Sequence, residues 1–130
     1  MNTELKQESG QSGVLTSPNF PNNYDADETC SWTIIAPPGH RVQFAIQFLG
    51  IEDHRYSRPG SCGDDSITIS ERRGNITRDV KVLCGCNELF SFASFENEMF
   101  LRFSSYRKNN WPGFYATYKA LGEVLFFFSE

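Results

Sequence analysis

The chain has 130 residues, a net charge of -4, 12 Phe and 5 Tyr. That length suits one domain with a core of its own. The charge argues against a non-specific nucleic-acid or polyanion binder, and no apolar run of about 18 residues exists to span a membrane. Aromatic enrichment favours strands over helices.

Residues 1–9 are polar, lack the regions of a signal peptide, and are expected to be poorly ordered or extraneous to the fold. A short apolar strand around Gly13–Thr16 then runs into Ser17-Pro18-Asn19-Phe20-Pro21-Asn22-Asn23-Tyr24. The prolines remove amide donors and hold their neighbours extended. The asparagines supply turn chemistry. Alternation with period two follows: Cys30, Trp32 and Ile34; Val42, Phe44, Ile46 and Phe48; Ile67 and Ile69; Met99, Leu101 and Phe103; Phe114, Ala116 and Tyr118. Each set predicts a strand with one packed face. Turn residues bound them at Pro37-Pro38-Gly39, Pro59-Gly60, Arg73-Gly74-Asn75, Asn109-Asn110 and Pro112-Gly113. Many short strands with regular turns predict an all-β antiparallel sandwich or barrel. Residues 119–130 read as a linker or an extra edge strand. Their Val124-Leu125-Phe126-Phe127-Phe128 run would aggregate if left free.

Cysteines stand at 30, 62, 84 and 86. An even count in a small strand-rich chain suggests disulfides and an oxidising compartment, with three pairings open. Asn75-Ile76-Thr77 is an N-glycosylation sequon, with Asn75 the acceptor. Cys84-Gly85-Cys86 lacks a second pair of ligands at zinc-like spacing. His40 and His54 accompany no nucleophile elbow or zinc motif, which argues against catalysis. Arg72-Arg73 and Arg107-Lys108 read as solvated loop charges.

The order of these motifs resembles the CUB domain family over about residues 10–118. The connector precedes Cys30-Ser-Trp-Thr-Ile, similar to the family's Cys-x-Trp-x-Ile strand. Ala36-Pro37-Pro38-Gly39 resembles its Ala-Pro-x-Gly turn. Phe44 to Glu52 is similar to Phe-x-x-Phe-x-x-Glu, with Phe48, Ile51 and Glu52 in place. Cys62 to Ile69 resembles Cys-x-x-Asp-x-(apolar)-x-Ile, and Leu83-Cys84-Gly85 its Phe-Cys-Gly. Asn97 to Phe103 and Gly113-Phe114-Tyr115-Ala116-Thr117-Tyr118 resemble its last two strands. The family's usual first cysteine is absent and Cys86 is extra.

The resemblance implies a two-sheet, jelly-roll-like β-sandwich and a Cys62–Cys84 disulfide. Cys30 and Cys86 would then either pair or remain thiols. It also implies a Ca²⁺ site at one end, with Glu52 and Asp65 as ligands and Ser105 where the family has a second Asp. Asp53 and Asp64 are adjacent acids that would compensate, and Arg107 or Lys108 would neutralise the acids in place of a metal. Tyr24, His54, Tyr56, Tyr106 and Arg107 are candidate partner contacts at that end. The expected function is a non-catalytic extracellular protein–protein interaction module from a larger secreted or cell-surface protein, with homodimerisation open. A glycan-binding adhesin of the spermadhesin type is the alternative.

Overall fold

The computed structural model describes residues 2–52, 62, 65–86, 89–106 and 110–122. Among the described residues, ten strands make two five-stranded sheets. The first holds β1 (Asn2–Lys6), β3 (Thr29–Ile35), β9 (Glu98–Ser104), β5 (Ser66–Arg73) and β6 (Ile76–Leu83), in that order across the sheet. The second runs β2 (Ser12–Thr16), β10 (Gly113–Gly122), β4 (His40–Ile51), β7 (Gly85–Cys86), with β8 (Phe90–Ala93) also on β4. All pairs are antiparallel except β1 on β3. This is the expected all-β sandwich.

The alternation seen in sequence becomes the core. Ile34, Ile67, Ile69, Met99, Leu101 and Phe103 point inward from the first sheet, and Phe44, Ile46, Phe114 and Ala116 from the second. Trp32 meets Phe114 edge-on at 5.9 Å, a favoured aromatic arrangement.

Three expectations change. Asn2–Lys6 is a strand, not a loose terminus. It pairs in parallel with β3 from Asn2↔Ser31 to Lys6↔Ile35, so ladder hydrogen bonds order it despite a polar sequence, while Leu5 packs on the core. The last strand continues past Tyr118 to Gly122, opposite His40 on β4, so residues 119–122 belong to the sandwich; residues 123–130 lie outside those described. Phe48 leaves the face it shares by period with Val42, Phe44 and Ile46. The register passes from Ala116↔Ile46 to Tyr115↔Phe48, which leaves Gln47 unopposed. This β-bulge shifts the inward set to Leu49 and Ile51 and puts Phe48 on the outer face, 42% exposed.

At the end of the sandwich that carries the Gly74-Asn75 turn, Glu71 on β5 is buried. Its Oε2 accepts from the Nε atoms of Arg73 and Arg78, both at 3.1 Å, and its Oε1 from the Phe95 amide at 2.8 Å. Arg73 also lies 4.0 Å over the Phe95 ring, and Arg72 pairs with Glu98 at 2.9 Å. The Arg72-Arg73 pair is therefore engaged rather than merely solvated. Burial alone would raise the Glu71 carboxyl. The Phe95, Arg73 and Arg78 hydrogen bonds outweigh it and hold the carboxyl below the ordinary glutamate range. A depressed carboxyl stabilises the fold above its unfolded pKa, and the contribution is lost as pH falls through the folded one. Urea titrations should thus find Glu71→Gln less stable than wild type by about 1–3 kcal/mol near neutrality. The gap should close at acid pH; a gap independent of pH would contradict the linkage.

Candidate functional site

The opposite end gathers the β2–β3 connector, the residues after β4, those before β5 and those after β9. Its organising group is Tyr24. The connector Ser17–Tyr24 folds on itself, with Phe20 N donating to Ser17 O at 3.3 Å and Asn22 N to Asn19 O at 2.6 Å. Tyr24 N then donates to Trp111 O at 3.1 Å, and its ring sets edge-on against Phe103 at 5.1 Å. The ring is buried, 1% exposed. Its hydroxyl donates to Asp65 Oδ2 at 2.6 Å and accepts from the Glu52 amide at 3.1 Å. One phenol oxygen therefore joins the end of β4 to the entrance of β5.

Asp65 is also 1% exposed, and its other oxygen accepts from the Tyr106 amide at 2.9 Å. A buried carboxylate needs such donors. Ser105 packs under the same loops. Its hydroxyl donates to Asp25 O at 2.7 Å and accepts from the Glu28 amide at 3.0 Å. Ser17 is a further anchor. Its hydroxyl donates to Pro112 O at 3.3 Å and accepts from the Phe114 amide at 3.0 Å. That fixes the β9–β10 loop against the connector.

Glu52, Asp65, Ser105 and Tyr106 thus converge at one end. Tyr24 does so as scaffold, not as a contact surface: its edge-on packing on Phe103 and the hydrogen bonds of its hydroxyl draw the ring inward. Tyr106 is 57% exposed. His54, Tyr56 and Arg107 lie outside the described residues, as do Asp53, Asp64 and Lys108. Among the described residues of this end, Asp25, Asp27, Glu28, Glu52 and Asp65 are acids. Sequence reasoning missed Ser17 and the outward Phe48; the residue after a strand and before a proline is the only hint for Ser17, and nothing local marks Phe48.

The fit to calcium is poor among the described residues. Calcium takes six to eight oxygens, several of them anionic. Two carboxylates converge here, both Asp65 oxygens already accept hydrogen bonds, and the third position is a neutral hydroxyl tied to two backbone groups. No group of three His, Cys, Asp or Glu side chains placed to hold a metal occurs among the described residues.

The Cys62–Cys84 disulfide is present, with Cα atoms 5.7 Å apart. Cys30 and Cys86 are not joined to each other. Cys30 faces the core from β3, whereas Cys86 is exposed on β7 of the other sheet, so the two thiols cannot meet without repacking. Burial first, and Glu28 second, push the Cys30 thiol up, which makes it unreactive. Asn75 is exposed in the β5–β6 turn.

Comparison with known proteins matches this arrangement. The CUB domain family model spans residues 5–118. Tolloid-like protein 1 of Mus musculus is 34% identical over 107 residues, covering 82% of this chain and 10% of that protein. Cubilin of Homo sapiens is 33% identical over 109 residues, 84% of this chain and 3% of cubilin. The chain therefore spans a small part of the curated relatives it matches. Among solved structures, the MASP-1 CUB2 domain bound to Ca²⁺ superposes with a TM-score of 0.69 at 27% identity, covering 88% of this chain and 97% of that one. The CUB1-EGF-CUB2 domains of rat MASP-1 give 0.75 at 24% identity over 95% of this chain and 44% of that one, a likeness of fold. On the family model, the relatives and the shared sandwich, this chain belongs to the CUB domain family, a non-catalytic module of secreted and extracellular proteins.

Proposed function

We propose that this domain is an extracellular protein–protein interaction module that engages its partner through the end bearing Glu52, Asp65 and Tyr106. The observation that carries the reading is the Tyr24 hydroxyl, which ties Asp65 to the Glu52 amide. It holds two carboxyl-bearing segments together from beneath, so the charge is positioned before a partner arrives. Preorganisation of this kind lowers the cost of binding. Loops on a rigid scaffold are where such contacts concentrate. The partner chemistry that suits an acidic end is a basic side chain.

The end works without a resident calcium ion in this reading, because among the described residues two carboxylates and a committed serine are too few donors. A site with Kd near 50 µM would add about 2.7 kcal/mol at hundredfold excess calcium. Calcium added to about that excess should leave the melting temperature unchanged. A rise that is absent in Glu52→Ala would overturn the calcium-free reading and put the ion at this end. For partner engagement, a short lysine-bearing peptide should perturb the amide NMR signals of Glu52, Asp65 and Tyr106 in the wild type. The perturbation should vanish in Glu52→Gln. Perturbations located elsewhere on the domain would sink the assignment of this end.

A further inference from the structure

The outer face of the first sheet carries a groove of about 250 Å³ that shares no residue with the acidic end. Strand register builds it. Ser31, Arg102 and Thr68 stand in one row across β3, β9 and β5. Thr33, Phe100, Ser70 and Asp79 stand in the next, which reaches β6. These residues alternate with the buried Trp32, Leu101 and Ile69, so the period of two puts them on the outer side. Ser70 donates to Asp79 Oδ1 at 2.7 Å. Among the described residues, the hydroxyls of Ser31, Thr33, Thr68 and Thr77 have no protein partner. Phe100 adds an aromatic ring, and the Arg72 guanidinium lies 5.7 Å from its centroid. Unspent hydroxyls, a carboxylate and an aromatic ring suit a sugar. The hydroxyls both donate and accept, as sugar hydroxyls do, and the ring packs on the C–H face of a pyranose.

The occupant follows from what stands at the groove's edge. Thr77 on β6 lines the groove, and the exposed Asn75 of the sequon lies two residues before it in the β5–β6 turn. That is about 7 Å at about 3.3 Å per strand residue, and Asp79 is about 13 Å away on the same count. Among the described strands β6 is also an edge of its sheet, with Ile76 68% and Val82 45% exposed. An unpaired edge with exposed apolar side chains invites pairing with other chains, and bulk beside it prevents that. A group tethered at Asn75 meets the groove at an effective concentration of millimolar order, so weak contacts suffice to seat it.

We infer that Asn75 carries an N-linked glycan whose first sugars fold back over β6 into this groove and cover the outer face of the first sheet. In the attachment step the Asn75 amide nitrogen bonds to the anomeric carbon of a lipid-linked oligosaccharide. The lipid diphosphate leaves with the electron pair of the broken C–O bond, and the nitrogen loses one proton. The hydroxyl and N-acetyl groups of the seated sugars exchange hydrogen bonds with Thr68, Thr77 and Asp79, and a pyranose face covers Phe100. The inference stands apart from the reading of the acidic end, which the glycan leaves open.

The experiment uses the intact chain secreted from glycosylating cells, with Asn75→Gln as the unglycosylated reference. Peptide mass spectrometry should find the glycan on Asn75, and its absence there overturns the inference. The NMR amide signals of Thr68, Ser70, Asp79 and Phe100 should differ between the two proteins, while those of Gln43 and Thr117 on the second sheet should not. An endoglycosidase should release the glycan of the folded wild type at least about fivefold more slowly than that of Phe100→Thr or Thr68→Val. Both variants are checked for an unchanged melt, and Thr68→Val, which keeps the shape of threonine, reads the sugar contact even where Phe100→Thr unfolds. Signal differences confined to residues 74–77, with equal release rates, would place the glycan in solvent and overturn the fold-back. If free oligosaccharide still shifts the four groove amides of the glycosylated wild type, the groove belongs to a foreign glycan and the tethered occupant is overturned.

Discussion

Gly113→Ala should cost at least about 3 kcal/mol in urea denaturation and remove the ordered arrangement of the acidic end. Gly113 adopts φ +101, a left-handed conformation that L side chains resist at about 1–3 kcal/mol. A β-carbon there would also overlap the Ser17 hydroxyl and approach the Tyr24 ring at 3.5 Å. The Ser17 hydroxyl serves the Phe114 amide, a buried donor whose loss of partner costs a further ~1–3 kcal/mol. The consequence travels: Ser17 moves, the connector moves with it, and the Tyr24 phenol loses its hold on Asp65 and the Glu52 amide. A double-mutant cycle separates the two causes. Ser17→Gly combined with Gly113→Ala removes the overlap and retains the φ strain, so the pair should be less damaging than the sum. Strict additivity would refute the steric account, and a cost below about 1 kcal/mol for Gly113→Ala alone would refute the whole argument.

Removing the Cys62–Cys84 bridge by a double substitution to serine should cost about 3 kcal/mol. The bridge closes a loop with a sequence separation of 22, and the chain-entropy model assigns that stabilisation to restriction of the unfolded chain. Its placement gives it a second consequence. Cys62 precedes Asp65 and β5, while Cys84 sits where the chain leaves β6 in the first sheet for β7 in the second. The bond thus anchors the entrance of Asp65 to the crossover between sheets. Chemical denaturation at neutral pH reads the stability, and the NMR signals of Asp65 and Tyr106 read the site. A loss below about 1 kcal/mol with unchanged Asp65 and Tyr106 signals would show that packing alone holds this corner. The double substitution is needed because Cys86 lies two residues from Cys84 and an unpaired Cys62 or Cys84 would exchange with it.

Both predictions concern residues that support the candidate site from below. Tyr24 illustrates the difference between naming a residue and knowing its role. An aromatic in a loop beside acids reads as a contact. In the fold its ring fills a slot against Phe103, and its hydroxyl is consumed by Asp65 and the Glu52 amide. Ser105 behaves likewise: the residue standing where a carboxylate was expected spends both hydrogen-bonding functions on the backbone of Asp25 and Glu28. Chemistry of type is legible from a sequence. Direction is not, because it depends on neighbours supplied by other segments.

The strands at Trp32, Phe44, Ile69, Leu101 and Phe114 follow from period-two alternation and turn residues, both of which are local properties. Their order with the connector and Gly113-Phe114-x-Ala116-x-Tyr118 sufficed to point to the family and to the Cys62–Cys84 bridge. Three features waited for the assembled sandwich. Asn2–Lys6 is a strand because β3 offers an unpaired edge, which its own polar residues do not announce. Phe48 faces outward because β10 skips Gln47, and a one-residue slip reverses every later side chain. The acidic end exists because Tyr24 meets a carboxylate 41 positions away in sequence. Local patterning selects the elements; only the pairing of distant strands assigns each side chain its face and its partner.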